Sequence, residues 1–410
     1  MHIVTELSEG LSISWGAILS NKMRAALTTL GIVIGIVTVT LMGTAIEGLN
    51  RAFLKSISAM GSDVFYVDRF AWMNHTHAEW MRSRKRQNIT LQQIRALESQ
   101  MKLAMAVAPF ANAGAPVKYK NRSSRFVDVI GTTEKFVLTS SSTSVADGRF
   151  LTPDEVEGGR PVCVLGSQTA TNLFVLESPL GKTIRLGPYA FDVVGVLEKQ
   201  GSFLGQFSLD NQVIIPVKQF ASCFWRDPSF TIQVKAADPN QMDEAKEELR
   251  GLLRKIRHVP PGAPDDFAIN QQEMLIATFN RIAGTIAGVG LFITGLSLFV
   301  GGIGIMNIMF VSVAERTREI GIRKAIGAKR RAILLQVLME AAGICLLGGC
   351  IGLAIAYPVT LLMNRYLPAT MSLMVVSIAL LVSIVTGVAS GFFPAWRAAR
   401  MDPVDALRSE

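Results

Sequence analysis

Four long apolar stretches dominate this chain, one near its start and three after residue 280. About 20 apolar residues in a helix cross the roughly 30 Å hydrocarbon core of a bilayer. Lipid-exposed backbone satisfies its polar groups only within helices or closed barrels. The stretches therefore predict membrane helices over residues 25–47, 282–313, 332–363 and 371–393, while residues 48–281 read as water-soluble and globular. The predicted fold class is a membrane protein: four transmembrane α-helices with a large α+β extracytoplasmic domain inserted between helices 1 and 2. Half of the residues are hydrophobic and the mean hydropathy is +0.35, which a soluble chain of this length rarely reaches.

The net charge of +9 raises a nucleic-acid partner, but the location of the charge argues against one. Lys22 and Arg24 abut the first span. The loop at 314–331 holds Arg316, Arg318, Arg323, Lys324, Lys329, Arg330 and Arg331, and the tail at 394–410 holds Arg397, Arg400 and Arg408. The loop between the third and fourth spans has only Arg365. The positive-inside rule then places both termini and the 314–331 loop in the cytoplasm and the large domain outside, in the periplasm of a bacterial inner-membrane protein. Residues 1–24 do not read as a signal peptide, because they are mostly polar or amphipathic, the apolar span that follows is longer than an h-region, and no clean small-x-small site comes after it. Leu7, Leu11, Trp15, Ile18 and Leu19 share one face there, which predicts an amphipathic helix on the cytoplasmic membrane surface; a plain cytoplasmic extension is the alternative.

Glycines recur at G-x-x-x-G spacing within the spans, at Gly31/Gly35, Gly284/Gly288, Gly348/Gly352 and Gly387/Gly391. Such pairs let helix backbones approach closely, in a tight bundle or at a dimer seam. The second span is overlong, since about 32 residues of helix measure ~48 Å. Leu275, Phe279 and Ile282 extend its stripe upstream, and Leu49, Phe53 and Ile57 extend the first span downstream. Two such helices leaving the membrane side by side form a stalk; ordinary juxtamembrane helices are the bland alternative. Asn307 and Glu340 are polar groups inside spans. Glu340 is expected to pair with Lys329, Arg330 or Arg331 near the interface.

In the outer domain, strands are expected at 63–68, 126–130, 161–165, 191–197, 213–216 and 231–235, with helices at 90–100 and 240–256. This predicts two lobes, 61–129 with 226–270, and 130–225. No catalytic constellation emerges, so no enzyme and no catalytic, metal or cofactor residue is expected in this chain. His75 and His77 lack a supporting ligand cluster. Gly181-Lys182-Thr183 resembles the end of a P-loop, but position 176 is Leu where that motif requires Gly. The Arg82–Arg86 run suits either a solvated loop or an anionic lipid or glycan. Spacing alone does not decide whether Cys163 and Cys223 pair.

The most specific local signal is the segment from Glu315 to Ile333, ERTREIGIRKAIGAKRRAI. It reads as a short basic helix broken at Gly327 between two spans. A positive-inside loop or a lipid headgroup site explains its cations but not the interleaved Glu315 and Glu319, nor the punctuation by Gly321 and Gly327. A helix seating in a groove on a partner calls for both charge signs and a tight exit turn.

This segment resembles the loop between the second and third spans of MacB-type ABC transporter permeases, within the FtsX-like superfamily. The first-span entry Lys22–Gly35, the outer-domain landmarks Gly148-Arg149-Phe150, Val164-Leu165-Gly166, Leu180–Ile184 and Val194-Gly195-Val196, and the tail Phe393–Arg408 resemble the same family. The resemblance implies that Glu315, Arg316, Arg318, Glu319, Gly321, Arg323, Lys324, Gly327 and Ala328 couple to a cytoplasmic ABC ATPase, which would hold the ATP and Mg. It also implies a second permease subunit, most simply a homodimer, contact with membrane lipids, and a mechanotransmission mechanism in which ATPase movements drive the periplasmic domains. A periplasmic membrane-fusion adaptor and a TolC-like outer-membrane channel are further expected partners. MacB carries its ATPase ahead of the first span; with 24 residues before this span, a separate ATPase polypeptide is expected. The 70–88 stretch matches no landmark of the family. Efflux of a periplasmic substrate is the leading functional expectation. Lipoprotein release, as in Lol-type relatives, and FtsX-like activation of a cell-wall hydrolase are the alternatives.

Overall fold

The computed structural model describes residues 22–58, 60–73, 76–175, 177–203, 207–224, 229–365 and 368–408. The expected surface helix of residues 1–24 lies, up to residue 21, outside them. The chain divides into a membrane unit, residues up to 51 and from 281 onward, and an α+β unit, residues 52–280.

Among the described residues four helices are long and apolar enough to cross a membrane: Lys22–Ser58, Gln272–Glu315, Arg330–Met363 and Leu373–Arg400. The α+β domain is inserted between the first and second of these. The first helix outruns its apolar stretch by eleven residues beyond 47, and the second begins ten residues before 282. Hydropathy locates the lipid-compatible part of a helix, whereas hydrogen bonding decides where the helix stops. The fourth helix likewise continues through Pro394 to Arg400.

Within the membrane unit, glycines let the helices touch backbone to backbone. A Cβ on Gly31 would lie 2.9 Å from the Gly301 Cα, and one on Gly387 would lie 2.8 Å from the Ala342 Cα. Gly348 and Gly352 receive Ile32 and Ile36, both fully buried. Small residues substitute here for the hydrophobic driving force that lipid cannot supply. Gly284 and Gly288 differ: among the described residues nothing lies within 4 Å of either side-chain position. One of the four glycine pairs therefore faces away from its own bundle.

The α+β unit is built on a ten-stranded sheet of β1 (Val64–Asp68), β2 (Ala104–Tyr119), β3 (Arg122–Thr132), β4 (Val145–Gly148), β5 (Val162–Leu165), β6 (Thr183–Leu186), β7 (Tyr189–Leu197), β10 (Gln212–Pro216), β11 (Thr231–Ala236) and β12 (Ala268–Gln271), with β8 (Ser202–Phe203) and β9 (Phe207–Ser208) as a separate hairpin. The order is β12-β1-β11-β2-β3-β10-β5-β7-β4, and β6 pairs with both β2 and β7. That double pairing closes β2, β3, β10, β5, β7 and β6 into a ring, which removes exposed strand edges. β2 belongs to two neighbourhoods: residues 104–110 pair with β11, and residues 111–119 pair with β3. The expected lobe boundary at 129/130 falls inside β3.

β2 is absent from the expected strands because it is rich in Ala, Gly and Pro. Its Pro116 sits where the pairing with β3 shifts between Ala115 and Val117, a position that tolerates a missing N–H. Helix Leu91–Gln100 starts at Thr90 through a reciprocal capping box with Gln93. Helix Met242–Ile256 buries Ala245, Leu249 and Leu253, spaced by four on one face. Their side chains join one continuous core with Phe65, Val164, Phe191 and Phe220. Cys163, buried in that core, and Cys223 are both free thiols; burial pushes the Cys163 thiol well above its usual range.

Candidate coupling surface

The segment between the second and third span helices folds as a helix, Thr317–Ala325, flanked by Glu315 at the end of one span helix and Lys329 at the N-cap of the next. Its exit is a double-bonded turn. The Gly327 N–H donates to the Lys324 carbonyl at 3.0 Å, and the Ala328 N–H donates to the Arg323 carbonyl at 3.0 Å. Gly327 takes φ +101°, a left-handed conformation that glycine adopts without a Cβ penalty. Gly327 thus allows the chain to reverse within two residues and enter the third span.

The inner side of this short helix is tied down at three points. Gly321 is buried against Ala406 of the tail helix Pro403–Arg408, whose Cβ would be 2.7 Å from any Cβ at 321. The Lys324 ammonium donates to the Met401 carbonyl at 2.5 Å. Its pKa lies below the usual lysine value, through burial first and the nearby Arg330 charge second. Arg316 pairs with Glu340 of the third span helix at 3.3 Å. The expected partners of Glu340 were Lys329, Arg330 or Arg331. A helical Glu340 lies three turns along the axis from that basic cluster, and Arg316 is the cation that the preceding helix carries to it.

Gln336 is a neighbour of the candidate surface that sequence reading missed: it accepts from Arg323 at 2.7 Å, while Arg323 also bridges to Glu319 one turn back. A usable signal existed, because Ile333, Gln336, Val337 and Glu340 share one helical face. Between these faces lies a cleft of about 210 Å³ lined by Arg316, Glu319, Ile320, Arg323, Gln336 and Glu340.

Glu315, Arg318 and Ala328 are exposed, as are Glu319 and Arg323, which also line the cleft. They flank Ile322 at 43% and Ile326 at 82% exposure. A small apolar centre ringed by both charge signs is the composition of a protein docking patch with a polar rim.

The other singled-out residues are dispersed. Phe53 and Phe279 stack at 4.2 Å between ring centroids and Ile57 is fully buried, whereas Leu49 and Leu275 are half-buried and Ile282 is 56% exposed. In the basic run, Arg86 donates to the Arg69 carbonyl at 2.6 Å and Arg84 lies 5.0 Å over the Trp80 ring, leaving Arg82 and Lys85 exposed. His77 opens the helix His77–Arg84 beside Trp80; His75 lies outside the described residues.

Residues 25–252 match the family described as MacB-like periplasmic core domain, and residues 291–403 match the FtsX-like permease C-terminal family. The chain is 33% identical over 410 residues to the pyoverdine export ATP-binding/permease protein PvdT of Pseudomonas syringae pv. syringae (strain B728a), covering 99% of this chain and 60% of that protein. It is 31% identical over 411 residues to the macrolide export ATP-binding/permease protein MacB of Bdellovibrio bacteriovorus, covering 99% of this chain and 62% of that protein. The chain thus spans about three-fifths of the length of these relatives. A structural likeness, TM-score 0.44 at 22% identity, relates 55% of this chain to 95% of the periplasmic region of MacB from Actinobacillus actinomycetemcomitans.

Proposed function

Because this chain belongs to the MacB-type family of FtsX-like permeases, we propose that it is the permease of an ABC export system, converting ATP hydrolysis by an ABC ATPase into movement of its outer domain. The observation that carries this reading is the exposed face of Thr317–Ala325 with Ile322 and Ile326 at its centre. A helix tied on its inner side to the tail and to the third span transmits a push from a partner seated on its outer side. The supporting physics is that packed elements shift as rigid bodies rather than deform continuously. Glu315, Arg316, Arg318, Glu319, Gly321, Arg323, Lys324, Gly327 and Ala328 are the residues of this coupling element, with ATP and Mg held by the ATPase.

The movement passes outward through the first and second span helices, and the Phe53–Phe279 stack supports the assignment of Phe53, Ile57, Leu275 and Phe279 to a stalk. A second copy of the chain completes the permease. Gly284, Gly288 and Asn307 support this, being exposed along the second span helix. A polar side chain facing hydrocarbon is costly unless a neighbouring helix pairs with it. A periplasmic adaptor and a TolC-like channel would carry an effluxed compound onward from the inner membrane.

A photoreactive residue in place of Ile326 tests the reading in native membranes. The expected product is a crosslink to an ABC ATPase that changes in yield when ATP hydrolysis is blocked. Crosslinks to lipid alone, with the protein folded, would overturn it.

A further inference from the structure

The outer surface of the strand ring carries a charge arrangement that folding disfavours. β2 and β6 run antiparallel with Lys118 directly opposite Arg185. Directly opposed residues share one face with Cβ atoms about 5 Å apart, where like charges repel. Both side chains are exposed. Their row continues through Ser123 of β3 and Ala190 of β7, neither of which is acidic. The neighbouring Lys120 and Lys182 are answered by Glu177 at 3.0 and 3.8 Å. Among the described residues Lys118 and Arg185 have no such carboxylate within ion-pair distance.

Next to this pair the strands bulge, and Arg125 and Phe126 project from the bulge of β3. Phe126 is 69% exposed. Its ring lies across Gly114, where any Cβ would collide with it. The missing side chain at 114 makes a bed that holds one ring face and leaves the other open. An exposed, pre-positioned aromatic beside arginines is the composition of a binding hot spot.

We propose that this face of β2, β3 and β6 docks an acidic segment of another protein, with carboxylates set between Lys118 and Arg185 and an apolar side chain laid on Phe126. Charge complementarity selects the acidic partner. An anionic bilayer fits less well, because adhesion to one draws on clusters of about four to eight basic residues, whereas this face offers Lys118, Arg125 and Arg185, with Asp192 diagonal to Arg185 and engaged by Thr183 at 2.7 Å. A like-charge pair kept against local stability is what a site retained for function looks like. The inference stands apart from the ATP-driven reading, since it concerns a different surface and needs no nucleotide.

The test uses the full chain in nanodiscs of neutral lipid and a fluorescent twelve-residue peptide of alternating Glu and Leu as probe. Binding is expected to weaken about tenfold in K118S/R185S and to fall steeply between low and high salt, as charge-steered association does. F126S is expected to weaken binding at both salt concentrations, and K102S, which removes an exposed cation elsewhere, to leave it unchanged. A second readout is independent of the probe: Lys118→Ser should raise the thermal midpoint at low salt, with the gain shrinking at high salt. Peptide binding indifferent to K118S/R185S, or a midpoint lowered by Lys118→Ser, would overturn the proposal. So would phosphatidylglycerol vesicles bound with the same dependence on Lys118 and Arg185 while the peptide is not, which would assign the face to lipid.

Discussion

Arg316 donates to both carboxylate oxygens of Glu340, at 3.3 and 3.5 Å, across 24 positions of sequence. The Glu340 side chain is 9% accessible and that of Arg316 is 32% accessible. The pair pins the exit of the second span helix to the third. It makes one wall of the cleft beside the helix Thr317–Ala325.

Removing the cation leaves a buried carboxylate without its counter-charge. Arg316→Ala is expected to cost about 1–3 kcal/mol, below the full penalty of a wholly buried pair because Arg316 is partly solvated. Glu340→Gln should cost less, since the remaining arginine reaches solvent. Unfolding midpoints of the two variants in the same detergent check the order; a midpoint for Arg316→Ala equal to that of the parent would show the pair to be energetically idle.

Among the described residues Glu319 pairs only with Arg323 one turn away, on an exposed surface. Such pairs contribute about 0.3–0.5 kcal/mol, so Glu319→Lys should leave the fold intact. At an interface of complementary charge, sign reversal costs several kcal/mol. Export is therefore expected to fall roughly tenfold or more while ATP hydrolysis continues. Measuring hydrolysis and transport in the same proteoliposomes checks this, and unchanged export by the variant would sink the coupling assignment.

Gly31 and Gly284 make a matched comparison, because both belong to G-x-x-x-G pairs in span helices but only Gly31 is packed within its own chain. Gly31→Leu forces the first and second span helices apart and should destabilise the bundle by about 1–3 kcal/mol. Gly284→Leu should change monomer stability by less than about 0.5 kcal/mol and act instead on self-association. Unfolding titrations read the first effect, and the mass distribution in detergent reads the second. A Gly284→Leu protein that unfolds as readily as Gly31→Leu would contradict the open position of Gly284.

Glu155 receives the Arg149 guanidinium in a fork at 2.6 and 2.8 Å and accepts from the Thr152 amide at 3.0 Å. Arg149 foremost holds its pKa down, from 4.5 to about 2. A depressed folded-state value stabilises the fold above the unfolded value and ceases to do so as pH falls toward the folded value. The thermal midpoint difference between the parent and Glu155→Gln should thus be constant above pH 5 and shrink as pH drops toward 2. A difference that stays constant down to pH 2 would rule out this linkage.

The legible part of this protein followed from one-dimensional signals. Length and continuity of apolar residues announced the four spans. The helix expected over 90–100 is present, although the capping box that opens it, Thr90 with Gln93, was seen only in the structure, and the Gly327 break announced the end of the loop helix where φ +101° ends it. The long β2 strand stayed hidden because its Ala, Gly and Pro residues carry little strand preference. Pairing on both sides, with Pro116 absorbed in a bulge, makes it a strand nonetheless.

By itself the sequence determined which segments tolerate lipid, where helices begin or break, and that both charge signs sit on one short helix between spans. Those properties are local, set by side chains a few residues apart. Only the tertiary structure decided that Glu340 answers Arg316 rather than the basic cluster at the start of its own helix, that Gly321 seats the tail at Ala406, and that Lys118 stands opposite Arg185. Each of these depends on which distant segments helix packing and strand register bring together, and one turn of helix or one residue of register would have chosen a different partner.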